Sequence, residues 1–69
     1  MKKQIIINYE WWADNHQEIK ESHKQALEEA AIDRIVKMMN DGYTSGELYD
    51  EDGDGISYSG WWSLSMATL

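Results

Sequence analysis

The feature that most constrains this chain is residues 22–41, SHKQALEEAAIDRIVKMMND, where apolar residues recur with the period of an α-helix. The apolar side chains of this stretch fall on one side of a helix: Leu27, Ala31, Ile32, Ile35, Met38 and Met39. We therefore predict an amphipathic helix from Ser22 to Asp41 with that side buried. Ser22 and Gln25 fit an N-terminal capping box, and Gly42 suits the left-handed residue that ends a helix.

Three segments with alternating apolar residues predict three β-strands, at residues 1–12, 46–51 and 56–66. The sequence DGDG at residues 52–55 is a reverse-turn signal, so the second and third strands should form an antiparallel hairpin. In the first strand, the apolar face that should meet the helix consists of Ile5, Ile7, Tyr9 and Trp11.

These elements predict one α+β domain over residues 1–69, with the order β-α-β-β and one helix on one face of a three-stranded antiparallel sheet. We expect the third strand to lie in the centre, although a sheet with the first two strands parallel is an alternative. The sheet face without a helix would then be open. Because adjacent residues of a strand point to opposite faces, it should carry Trp12 and Trp61 together with Ile6 and Tyr49.

Composition limits the function. The chain has no Cys, so it forms no disulfide, and a small domain without disulfides favours an intracellular location. No apolar run is longer than three residues, as at Ile5–Ile7, which is too short to span a membrane. A core this small has to be filled by large side chains, so most of the four Trp and four Tyr should be structural.

Motifs for catalysis and metal binding are incomplete. Asp50, Asp52 and Asp54 followed by Gly55 match the opening of a calcium loop, but Trp61 stands where such a loop needs a bidentate Glu. A calcium-binding hairpin is therefore only a weak alternative. The two histidines lack further zinc ligands, no nucleophile motif surrounds any Ser, and the short chain leaves little room for a substrate cavity. We expect neither an enzyme nor a cofactor.

The charge is acidic and unevenly distributed. The net charge is −7, and from Met38 onward the chain has six acidic residues and no basic residue. Such a segment repels nucleic acids and anionic lipids and favours a protein partner with a basic surface. The residues predicted to bind that partner are two aromatic anchors and the acids around them: Tyr49, Trp61, Asp41, Glu47, Asp50, Glu51, Asp52 and Asp54. The aromatic residues of the open sheet face also suggest a homodimer through that face.

Residues 23–62 resemble a group of small acidic proteins encoded by bacteriophages and prophages. The resemblance rests on HKQALEEAAIDRI, on the G-Y-x-S-G-E-L segment at residues 42–48 and on YSGWW at residues 58–62. The function of that group is unassigned, so it supplies no site residues. It implies a phage protein in the host cytoplasm that inhibits or modulates a host protein, such as an anti-CRISPR inhibitor. A phage structural or assembly accessory is the alternative.

Overall fold

The computed structural model describes residues 2–68, which form three strands and one helix. The elements are β1 (Lys3–Ala13), α1 (Glu21–Asn40), β2 (Ser45–Glu51) and β3 (Ser57–Thr68). All pairings are antiparallel and the sheet order is β1-β3-β2, so β3 is central. The predicted α+β fold is therefore confirmed, and the alternative with β1 and β2 as parallel neighbours is wrong.

The helix lies within one residue of the predicted bounds, but the predicted capping box does not form at its N-terminus. Lys20 is the N-cap residue and no side chain caps the first turn, while Gln25 bonds Glu29 instead. The C-terminal prediction is confirmed, since Gly42 has φ +93°. Within residues 2–68, no helix combines the length and the apolarity that crossing a lipid bilayer requires.

The core lies between α1 and one face of the sheet. Among the described residues it is formed by seven buried hydrophobic side chains: Ala13, Leu27, Ala31, Ile35, Leu48, Tyr58 and Trp62. Met38 and Met39 pack against them, as predicted. Ile32 was predicted to be buried as well, but it is 62% exposed. The buried stripe of α1 is therefore narrower than the apolar stripe in the sequence.

The position of α1 explains why Ile32 is exposed. The helix backbone approaches β2 more closely than it approaches β1 or β3. The side chains of Ile5, Ile7 and Tyr9 point to the helix side of the sheet, as predicted, but they are 40–60% exposed because no helix covers them. Only Trp11, of the four β1 residues predicted to form the core face, is half-buried.

Gly60 allows β1 and β3 to pack closely. It pairs with Trp11 on β1 and Leu48 on β2, in the middle of the helix-facing side. From the sequence, a glycine here would make room for the helix at Ala30 or Ala31. However, the atoms nearest to a Cβ at this position belong to β1: they are the Glu10 carbonyl oxygen, which a Cβ would overlap, and Trp11 Cε3 at 3.1 Å. The space left by the missing side chain is used by β1.

We expect Gly60→Ala to destabilise the fold by about 1–3 kcal/mol, because the new methyl group would meet a backbone carbonyl that has no room to move. Chemical denaturation monitored by Trp fluorescence measures the change. Ser63→Ala, in the same strand, is the matched control and should change the free energy of unfolding by less than about 0.5 kcal/mol. Equal stability of Gly60→Ala and the control would contradict the packing described for β1.

Candidate binding face and acidic hairpin

The sheet face opposite α1 carries three exposed aromatic side chains. Trp12, Tyr49 and Trp61 are 44%, 53% and 40% exposed, on β1, β2 and β3 respectively. The prediction from strand alternation that these rings lie on the uncovered face is confirmed. Ser59 pairs with both Trp12 and Tyr49, so a small side chain lies between two large rings. A recess of about 550 Å³ results, lined by all three rings.

Carboxylates flank the recess. Trp61 pairs with Glu10 on β1 and with Glu47 on β2, so an acidic residue lies directly across from it on each side. Glu51 accepts a hydrogen bond from the hydroxyl of Tyr49, and this bond raises the pKa of that hydroxyl above its ordinary value. The phenol therefore stays neutral at physiological pH.

This arrangement suits a cation better than any other ligand. The faces of Trp and Tyr rings attract a guanidinium or ammonium group through their quadrupoles, by roughly 0.5–1 kcal/mol at exposed sites and more after desolvation. The carboxylates of Glu10 and Glu47 add Coulomb attraction for the same group. A phosphate would be repelled by those carboxylates. We call this surface, formed by Trp12, Tyr49, Trp61, Glu10 and Glu47, the aromatic–acidic face.

Asp50 lies on the other side of the sheet, although it was predicted to bind a partner. Its Oδ2 accepts a hydrogen bond from Nε2 of His23 at 3.1 Å, and its Oδ1 accepts one from Arg34 at 3.2 Å. Arg34 also donates to the carbonyl of Tyr49, and both bases belong to α1. Burial would raise the pKa of Asp50, but the bonds from Arg34 and His23 outweigh it and lower the pKa. Asp50 therefore attaches the helix to β2.

Asp52 organises the turn between β2 and β3. Its side chain is only 3% exposed and accepts hydrogen bonds from the amides of Asp54 and Ile56 and from the hydroxyl of Tyr58. The ammonium of Lys20 lies 3.2 Å away. Burial would raise the pKa of Asp52, but these donors outweigh it and lower the pKa to about 2. This carboxylate is therefore occupied within the molecule.

The six acidic residues predicted to bind a partner do not form one surface. Glu47 and Glu51 lie on the aromatic–acidic side, whereas Asp41 ends the helix. Asp54 is 76% exposed and forms an ion pair with Lys20 at 3.2 Å. Within residues 2–68, no group of three or more His, Asp or Glu is arranged to hold a metal ion. The carboxylates of the calcium-loop alternative instead bond to basic and amide groups.

Sequence analysis did not include Glu10 or Ser59 among the candidate site residues. Both follow from strand register, because Glu10 lies across from Trp61 and Ser59 lies between two rings. Strand alternation shows which face a residue is on, but it does not show which residues are neighbours across strands. Comparison of this chain with protein-family models, curated proteins and solved structures finds no match.

We expect Asp52→Asn to lower the free energy of unfolding at neutral pH and to make that free energy vary less with pH between pH 2 and pH 4. The pKa of Asp52 is below its usual value, so its contribution is complete above about pH 4 and is lost as the pH falls towards 2. Urea denaturation between pH 2 and pH 7 measures both effects. Asp54→Asn, at an exposed carboxylate two residues away, is the control and should retain the pH profile of the unmodified chain. Matching profiles for the unmodified chain and Asp52→Asn would refute the assigned role of Asp52.

Proposed function

We propose that this chain is a binding protein that acts on a protein with a basic surface, through the aromatic–acidic face. The observation that carries the proposal is the position of Trp61, exposed beside a recess and flanked by Glu10 and Glu47. An Arg or Lys side chain of the partner enters the recess and stacks on the rings while the carboxylates neutralise its charge. Trp and Tyr are also the residues that most often dominate interface energies.

The two carboxylates of the face have no ion pair within the described residues, and this supports a basic partner. Within residues 2–68, neither Glu10 nor Glu47 forms an ion pair. The solvent side of α1 differs, since Asp33 there pairs with Lys37 at 3.1 Å. The unneutralised charge of the face steers a basic partner towards it and makes the association rate fall with salt. Nucleic acid is a poor ligand for the same reason.

The resemblance to phage-encoded proteins favours a target in the host cytoplasm. A protein that handles nucleic acid has the required basic surface, because it must bind phosphates. In this proposal the chain inhibits such a protein, for example a CRISPR complex, by covering the surface on which DNA or RNA would lie. Glu47 and Glu51 then stand where phosphates would bind. Asp50 and Asp52 contribute by holding the hairpin in shape rather than by contact.

Self-association through the same face is the competing use of these aromatic residues. A second copy would bury Ile6, Tyr49 and Trp61, which are exposed in this chain. It would also bring Glu10 and Glu47 close to the same carboxylates of the other copy, and like charges across an interface are unfavourable. A basic partner satisfies both the rings and the carboxylates, so we favour it.

We expect the double substitution Glu10→Gln with Glu47→Gln to slow association with the partner by roughly tenfold at low salt and to reduce the salt dependence of the rate. The partner is first isolated from host lysate with the chain as bait, and the rates are then measured by surface plasmon resonance. Glu29→Gln with Asp33→Asn is the control, because it makes the same charge change on the solvent side of α1. Equal rates for the two double variants would rule out steering by the aromatic–acidic face.

We expect Trp61→Ser to speed dissociation from that partner by at least about tenfold, because an anchor residue is lost. Ser63→Ala, on the same face of β3, serves as the control and should leave the dissociation rate unchanged. A dissociation rate unaffected by Trp61→Ser would show that the partner binds elsewhere.

A further inference from the structure

The outer edge of β1 is a long strand edge without a partner. Within residues 2–68, β1 pairs only with β3. Asp14 donates its amide to the Ser57 carbonyl at 2.9 Å and continues the β1–β3 register. Because bonded and non-bonded pairs alternate in an antiparallel ladder, the even-numbered residues of β1 bond to β3. The N–H and C=O groups of Ile5, Ile7, Tyr9 and Trp11 therefore point away from the sheet.

The middle of this edge lacks the features that normally prevent strand pairing. Proteins protect free edges with charges, proline, bulges or short strands. Residues 4–9, QIIINY, contain neither a charge nor a proline, and β1 pairs with β3 without a bulge over its whole length. A segment of this kind is a template for a further strand.

The same residues border an apolar groove on the helix side of the sheet. Ile32 and Val36 of α1 form one wall, with 62% and 48% exposure, and Ile7 and Tyr9 form the floor. The groove exists because α1 lies towards β2. The two strands are also longer than the helix, because β1 and β3 each extend over about 40 Å and α1 over about 30 Å. Ile5 and Met66, at 60% and 69% exposure, lie at the uncovered end.

The molecule exposes more area than a compact monomer, and the excess is close to the area that one partner buries in a dimer. The molecule exposes 5153 Å², whereas a compact monomer of 8.0 kDa would expose about 4,450 Å². The excess of about 700 Å² is close to the roughly 800 Å² that each partner buries in a standard interface. The radius of gyration, 13.7 Å, likewise exceeds the value of about 11 Å for a compact chain of this length.

We propose that two copies of this chain associate through the outer edges of their β1 strands, forming a continuous six-stranded sheet. An antiparallel, twofold-symmetric pairing centred on Ile6 places Lys2 opposite Glu10 of the second copy, and the reverse, so the charges at the two ends are complementary. It also places Ile5 opposite Ile7. Both helices then lie on one side of the sheet, where the two apolar grooves merge and bury Tyr9, Ile32 and Val36. This dimer leaves the three rings and Glu47 of the aromatic–acidic face uncovered and shares only Glu10 with that face.

Sedimentation equilibrium of the intact chain at high salt, which screens the net charge, tests the proposal. The expected result is a dimer that Ile32→Glu or Val36→Glu weakens by at least about a hundredfold, because each places a carboxylate in the merged groove. Both positions are exposed in the single chain, so the variants should remain folded, which circular dichroism checks. Trp61→Ser, on the opposite face, should leave the dimer intact.

A cysteine substitution tests the register, since the chain has no cysteine of its own. Ile6→Cys, on the twofold axis, should oxidise to an intermolecular disulfide, whereas Glu29→Cys on α1 should not. A chain that stays monomeric up to millimolar concentration, a dimer that survives Ile32→Glu and Val36→Glu, or a dimer lost in Trp61→Ser would each overturn the proposal. A dimer in which Ile6→Cys fails to cross-link would overturn the register.

Discussion

The attachment of α1 to β2 by Asp50 determines which surfaces this small domain leaves exposed. Asp50 accepts hydrogen bonds from His23 and Arg34, two residues of the helix that lie three turns apart. His23 also stacks on Tyr58 of β3, with ring centroids 5.0 Å apart. A helix held at two points over β2 covers β2 and β3, whereas on β1 it packs against the end at Trp11 and Ala13 and leaves the rest of that strand exposed. The exposure of Ile7, Tyr9 and Ile32 follows from that position.

The turn that precedes β3 depends on a second internal carboxylate. Asp52 gathers two backbone amides, the Tyr58 hydroxyl and the Lys20 ammonium around one side chain. Lys20 is the residue from which α1 starts, so the hairpin and the helix are linked at this end of the molecule. Acidic residues that look like a solvated or metal-binding loop in the sequence therefore act as internal acceptors. The net negative charge available to a partner is smaller than their number suggests.

Sequence patterns were sufficient for the element types and the face of each strand residue, because both follow from local periodicity. They were insufficient for the lateral position of the helix, which decides whether Ile5 and Ile32 are covered. One signal for Asp50 was present: it alternates in phase with Leu48, so a strand that buries Leu48 directs Asp50 to the same side. The neighbours of Trp61 across the sheet could not be predicted without the register of each strand pair. The β2–β3 register, which places Glu47 beside Trp61, depends on Asp52 bonding to Ile56 around a three-residue loop. The β1–β3 register, which places Glu10 there, joins strands that are far apart in the sequence.

The two proposed interfaces share only Glu10, so a dimer can bind a partner through both of its aromatic–acidic faces, and this has a consequence for binding strength. Pairing of β1 strands about a twofold axis perpendicular to the sheet leaves both aromatic–acidic faces on the same side of the six-stranded sheet. A dimer would thus present two cation-binding recesses in one plane. Once one recess holds a basic side chain of a partner, the second is at high effective concentration for another basic site within reach. Weak cation–π contacts at a shallow, exposed face then suffice for tight binding to a basic surface that is extended or repeated, and a single isolated cation would be bound only weakly.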